Sequence, residues 1–495
     1  LKTRRTEFGK TGLLLALGVL ALTACTRLAE RPLERRIPSA PDTQWRPPRN
    51  ATTQAAARDT AHSGLEAITP AMRERNWTLD DIVDIALTNN PLTRASWQAA
   101  RAAAARYGSE KAAWLPRLDA DGGYGRARGS TAGGRLAYKS ISYDAGVSLS
   151  YILFNFGRRI ADVEAARQDM IAQNWSHNAT VQAVILAVQE AYYQYQYSKA
   201  MYKSSQVSLE EARRDLDAAE QKRAAGLGTV ADVLQAKTRA SQAELSLQSA
   251  EGRIKTIRGS LATVMGLPAD LDYDIDYLPE DVPADSVALT VDRLIDEALA
   301  RRPDLAAARA QALQARAEAA STSRERYPEI SLTGGAGRIY YNSRDRQGDT
   351  YNISLGVSVP LFTGFKAEND VLEARAKAEG AEEKARGVQQ QVVLDVWTSY
   401  YDLQTAAKRL NTSRDLLASA DESHKVALER YRAGVGSVLE LLQSQSALED
   451  ARAQNIQART DWFLCLARLA KDTGSLGLGQ TSLIPTAGNA TNEGK

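Results

Sequence analysis

Hydrophobic and polar positions along this chain follow two rules, and each rule appears twice. Ile141, Tyr143, Ala145, Val147, Leu149, Tyr151 and Leu153 alternate with Ser142, Asp144, Gly146, Ser148 and Ser150. Later, Tyr351, Ile353, Leu355, Val357, Val359 and Leu361 alternate with Asn352, Ser354, Gly356 and Ser358. Period two predicts strands with one apolar and one polar face. Weaker partners precede them: Leu118, Ala120 and Tyr124 against Asp119 and Asp121, and Ile330, Leu332 and Ala336 against Ser331 and Thr333. The Gly- and polar-rich links Arg126–Tyr138 and Asn342–Thr350 predict hairpin loops, which puts two strands in 117–153 and two in 329–361.

The second rule is sevenfold. Arg158–Ala225 contains neither Gly nor Pro, and Lys366–Ala433, also 68 residues, contains only Gly380 and Gly387. A helix of that length would run about 100 Å, against ~10–14 residues for a helix of an ordinary globular domain. Val181, Val188, Tyr195, Tyr202, Leu209 and Leu216 recur every seven residues, as do Val396, Leu403, Leu410 and Leu417, which predicts coiled-coil packing. Each long helix meets a Gly-x-Gly turn, Gly226-Leu227-Gly228 or Gly434-Val435-Gly436. Helix resumes over 229–265 and 437–471, with Thr229 and Ser437 as caps, so each half ends in a helical hairpin.

The whole order is written twice. Trp77–Pro91 reappears 212 residues later as Leu289–Pro303, and Arg223–Gly228 reappears 208 residues later as Tyr431–Gly436. Each half, 77–265 and 289–472, begins with a helical pattern carrying an early Pro (Leu79–Trp114 and Val291–Arg326), continues with two strands, and closes with long and return helices. The joint 266–288 carries Asp270, Asp272, Asp274, Asp276, Glu280, Asp281 and Asp285 and no basic residue.

Strands of this length suit a tilted crossing of a bilayer, for which ~9–11 residues are needed, although a soluble sheet half buried on a core gives the same alternation. The N-terminus favours the membrane. Residues 1–24 read as an export signal: Lys2, Arg4, Arg5 and Lys10 precede an apolar core, Leu13–Leu22, too short to span a bilayer. Leu22-Thr23-Ala24-Cys25 resembles the cleavage box of bacterial lipoproteins, with Cys25 as the lipidated residue. A plain secretory signal with an incidental Cys is the alternative. Residues 25–76 hold six Pro and few aliphatics and read as an extended arm; 473–495 reads as a flexible tail. A membrane sheet must close, and four strands cannot. Two to four copies would give eight, twelve or sixteen strands.

Composition narrows the function further. Net charge is +2 over the 495 residues, and 25% are charged, so no basic excess argues for nucleic acid. The three His are widely spaced, and Cys465 is the only other Cys, which leaves neither a zinc cluster nor a disulfide framework. His177 and His424 on the long helices read as packing or surface residues. Gly122–Gly125 and Gly334–Gly337 lack the Lys-Ser/Thr of a phosphate loop. No enzyme, cofactor or metal is expected.

The paired repeats, the Arg301–Asp304 run, the Leu361–Gly364 entry to the second long helix and Arg430–Gln443 together resemble TolC-type outer-membrane efflux proteins, in their lipoprotein branch. The resemblance covers roughly 77–472. It implies a mainly α chain with membrane β: a homotrimer whose twelve-stranded barrel, four strands per chain, sits in outer-membrane lipid and continues into a periplasmic α-helical barrel. It implies an exit duct of a tripartite efflux pump or type I secretion system, joined through a periplasmic adaptor protein to an inner-membrane transporter. Gly226, Leu227, Gly228, Gly434, Val435 and Gly436 would then meet the adaptor. Asp232 and Glu440, with Gln235 and Gln443 where the family often has Asp, would form the tunnel constriction; an ordinary solvated helix start is the alternative. Tyr431 and Arg432 resemble latch positions, although Gly436 replaces an Arg found in some members. A lipid-anchored structural coiled-coil protein without channel activity is the competing function.

Overall fold

The computed structural model describes residues 37–38, 40–46, 77–131, 136–275, 290–341 and 347–476. The expected signal 1–24, Cys25, most of the 25–76 arm, the joint beyond Ile275 and the tail beyond Leu476 lie outside the described residues. In chain order the elements are α1 (Leu79–Asn89), α2 (Pro91–Lys111), β1 (Arg117–Thr131), β2 (Leu136–Phe154), α3 (Arg158–Ala224) and α4 (Val230–Val264). The second half repeats them as α5 (Val291–Arg301), α6 (Pro303–Arg324), β3 (Glu329–Tyr341), β4 (Gln347–Ser358), α7 (Lys366–Arg432) and α8 (Val438–Asp472). Their described residues form two compact units: those within Ala99–Asn174 and Ala307–Gly387 in the first, those within Pro38–Gln98, Trp175–Ala306 and Val388–Leu476 in the second.

Two sequence expectations need correction. Each opening helical pattern is two helices, broken at Asn90 (φ −63°, ψ 127°) and Arg302 (φ −65°, ψ 123°). A following proline ring excludes its predecessor from the helical region, while Pro91 and Pro303 themselves are well placed at the first position of the next helix. The described parts of the links expected as hairpin loops are also strand: Arg126–Thr131 pairs with Leu136–Ile141, and Gln347–Thr350 pairs with Gly337–Tyr340. Ladder hydrogen bonds continue past the point where side-chain alternation fades.

The first unit holds the sheet, an antiparallel meander ordered β1-β2-β3-β4. Its registers set Leu118, Leu149, Gly334 and Ile353 in one row, Ala120, Val147, Ala336 and Tyr351 in the next, and Tyr124, Tyr143 and Tyr340 in a third. The opposite face is polar or bare: Asp119, Ser148, Gly335 and Asn352 share a row, as do Asp121, Gly146, Gly337 and Thr350. No core covers the apolar face among the described residues. Tyr351 is 87% exposed and Ile353 83%. A soluble sheet would bury that face. No described helix is long and apolar enough to cross a membrane.

In the second unit the sevenfold stripes become the core. Val181, Val188, Tyr195, Val396, Leu403 and Leu410 are buried together with Trp77, Leu261, Leu305 and Phe463. Toward the hairpins the seam narrows to small residues, Leu209 and Ala212 against Ala240 and Ala243, and Ala420 against Leu448 and Ala451. Alanine lets helix backbones approach closely over a long antiparallel pair. The described part of the acidic joint is tied down: Tyr273 stacks on Trp77 at 4.9 Å, and buried Lys199 donates to Asp274 Oδ1 and Ile275 O, both at 2.7 Å. A piece of the arm is seated as well. Trp45 N–H donates to Asn178 Oδ1 (2.6 Å), Asn178 Nδ2 returns a bond to Trp45 O (2.7 Å), and His177 Nε2 donates to Thr43 O (3.1 Å).

Candidate functional site at the helical-hairpin turns

The turns at the ends of α3 and α7 are built by the same backbone device. Gly226 and Gly434 take φ of 75° and 78°, where a side chain would be strained. In the first turn Leu227 N bonds Lys222 O (2.9 Å) and Gly226 N bonds Arg223 O (3.0 Å). In the second, Val435 N bonds Arg430 O (3.0 Å) and Gly434 N bonds Tyr431 O (3.1 Å). This pairing satisfies the last helix carbonyls and stops the helix. Gly228 and Gly436 are required by space rather than by dihedral: a Cβ would come within 3.1 Å of Arg223 N in one and of Arg430 Cβ and Tyr431 N in the other. Gly436 therefore has no room for the arginine of the resemblance without a shift. Leu227 and Val435 point to solvent, 80% and 69% exposed.

The candidate constriction residues behave differently in the twin turns. Asp232 is the third residue of a capping box: its Oδ2 accepts from Thr229 N (2.9 Å) and from the Thr229 hydroxyl (2.8 Å), while that hydroxyl accepts from Asp232 N (3.1 Å). Ser437 caps α8 through Glu440 N (3.2 Å), but the Glu440 carboxylate turns away to Arg430, with Oε1 3.3 Å from Nε. Gln235 and Gln443 are exposed and uncharged.

Tyr431 and Arg432 also separate. Tyr431 is buried with Val438 and Leu441, against Ala218 of α3. Lys222 lies over its ring, 3.7 Å from the centroid, and donates to the Tyr431 carbonyl, so a first-repeat cation clasps a second-repeat aromatic. Burial, with Asp232 and Asp215 nearby, pushes the phenol above its ordinary range. Arg432 is exposed and pairs with Glu429 at 2.9 Å. The sequence reading missed Lys222. Its signal was present: Ser208, Asp215 and Lys222 repeat every seven residues beside the apolar stripe.

Both long-helix histidines are buried, which selects packing over surface. Burial lowers the affinity of each for a proton. No group of three or more potential metal ligands occurs among the described residues.

The outer membrane efflux protein family matches the chain over residues 82–267 and 294–475. Protein CyaE of Bordetella pertussis is 27% identical over 409 residues, covering 80% of this chain and 85% of its own. A probable efflux pump outer membrane protein, TtgC of Pseudomonas putida, is 24% identical over 437 residues, covering 85% and 89%. The solved outer membrane protein VceC of Vibrio cholerae superposes with a TM-score of 0.72 at 20% identity, over 80% of this chain and 96% of that one.

Proposed function

The chain belongs to the outer membrane efflux protein family, and we propose that its task is that of an outer-membrane exit duct, conducting substrate outward with no chemistry of its own. The uncovered apolar sheet face carries this reading. Four strands present alternating apolar residues to the outside and small or polar residues to the other face, as a lipid-facing barrel wall requires. Within the chain β1 and β4 each pair on one side only. Bilayer hydrocarbon offers no partner for such an edge, so strands of other copies complete the ring, and three copies give twelve. A channel-free coiled-coil protein of the envelope leaves this exposed face without a purpose.

The finer reading is ours. Cys25 carries the lipid that holds the arm at the outer membrane. The turns at Gly226–Gly228 and Gly434–Gly436 meet a periplasmic adaptor, which connects them to an inner-membrane transporter. Around the tunnel axis, Glu440 and Asp232 supply one carboxylate per turn, with Gln235 and Gln443 leaving the next position neutral. Tyr431 latches through Lys222, and Arg432 contributes through Glu429. Purified protein reconstituted in planar bilayers provides the test. A heat-resistant oligomer from the outer-membrane fraction that conducts ions supports the duct, with Glu440→Ala altering conductance or cation block. A non-conducting periplasmic dimer sinks it.

A further inference from the structure

A few helical turns from the Gly-x-Gly motifs, the second unit buries an unusual amount of ionisable chemistry. Glu211 and Asp215 stand one turn apart on α3; Gln445, Glu449 and Arg452 form a stripe on α8. Arg452 grips Glu211 with two bonds of 2.8 and 3.0 Å, and Arg239 of α4 pairs with Glu449. His424 of α7 faces Ser444 of α8 at 3.4 Å, and desolvation lowers its affinity for a proton. Asp215 is the unmatched member. It is 4% exposed, and its polar partner is the fully buried Gln445, whose amide, oriented to suit its neighbours, donates to Asp215 Oδ2 at 3.3 Å. Arg214 on its own helix and Arg432 at the end of α7 act on it through space, as does Glu211 with the opposite sign. Two arginines balance Glu211 and Glu449, so an ionised Asp215 adds one uncompensated charge to the interior.

We propose that this seam is a proton-responsive clasp, in which protonated Asp215 favours α3 packed against α7 and α8 beside the turns and ionised Asp215 favours their parting. Its use in gating rests on the exit-duct reading; the packing equilibrium does not. The sign follows from where the proton binds better. Burial, then Glu211, push the carboxyl up to about 6, against the opposing Arg432 and Arg214. Once the helices part, water returns it to the ordinary carboxylate range near 3.8. The packed form therefore gains protons first. Through Asp215, lowering the pH from 7 to 5 shifts the balance toward it by about tenfold, and the gain levels off below about pH 3, where both forms are protonated.

Hydrogen exchange at the turn amides of Gly226, Leu227, Gly434 and Val435 in the full-length protein, corrected for intrinsic exchange, reads this balance. Wild-type protection should rise about tenfold from pH 7 to pH 5, whereas Asp215→Asn, neutral throughout, should keep the protected level at every pH. Gln445→Leu, which removes the donor that favours the ionised form, should move the midpoint upward. A flat wild-type profile, or the same slope in Asp215→Asn, overturns the clasp; if Asp215→Asn does not fold, an unmoved midpoint in Gln445→Leu does so. Planar-bilayer recording separates the two readings. A pH-dependent, Asp215-dependent turn in a protein that never conducts retires the duct and leaves the clasp, and conduction with pH-independent turns retires the clasp alone.

Discussion

Replacing Lys222 by Met tests how the two hairpins of one chain are held. The ammonium makes two contacts, one with the Tyr431 ring at 3.7 Å and one with the Tyr431 carbonyl. A cation over an aromatic ring at a partly hydrated site contributes ~0.5–1 kcal/mol, and a charged hydrogen bond ~1.5–3 kcal/mol. Lys222 is only half buried. Water can take over part of both contacts, so about 1–2 kcal/mol is the expected loss, a five- to thirtyfold shift toward parted hairpins. Met keeps the aliphatic stem packed and removes the charge. Single-channel recording of Lys222→Met should show open events more frequent by that factor, with the unitary conductance unchanged. Tyr431→Phe retains ring and carbonyl and should match wild type. The reasoning fails if Lys222→Met gates like wild type, or if Tyr431→Phe opens as readily as Lys222→Met, since the phenol oxygen would then be the holding group.

Other outcomes follow from the same coordinates. Gly266 has φ 75° and would place a Cβ 2.8 Å from Asn89 backbone atoms, whereas Gly364 has φ 65° and open space around it. Gly266→Ala should therefore cost more than ~2 kcal/mol and Gly364→Ala about 1 kcal/mol, read from the thermal unfolding midpoint of the purified protein. Arg302, 5% exposed, binds Asp304 at 2.6 and 3.0 Å and Asp395 at 2.8 Å. Arg302→Met should destabilise the fold by about 3 kcal/mol by stranding partly buried carboxylates, and addition of Asp395→Leu should recover part of the loss. Leu355→Arg places a charge on the apolar face and should reduce membrane assembly by ~2–4 kcal/mol, while Ser354→Arg, its neighbour on the polar face, should assemble and change ion selectivity.

Legibility was uneven, and particular residues say why. The strand faces were readable because alternation is a property of the backbone itself: Tyr351 and Ile353 had to share one side wherever the strand went. The break at Asn90 was signalled by Pro91, but one proline near the start of a long periodic pattern does not say whether the helix kinks or stops. Asn90 stops it with help from a distant element, its Nδ2 bonding Val264 O at 2.9 Å. The arm at Trp45 looked unstructured because its own composition gives no period. Its seat on Asn178 and Trp175 is supplied by α3.

The sequence by itself determined the duplication, the two long helices, the position of their glycine turns and the amphipathic strands, since each depends on residues near one another along the chain. Tertiary structure decided what those elements do to each other. It paired β2 with β3 across the repeats, laid Lys222 on Tyr431, and left Asp215 inside the seam with Gln445. Periodicity tells which side of a helix is covered, but charge pairing, desolvation and proton affinity depend on the chemistry of the covering surface, and that surface comes from a helix more than two hundred residues away.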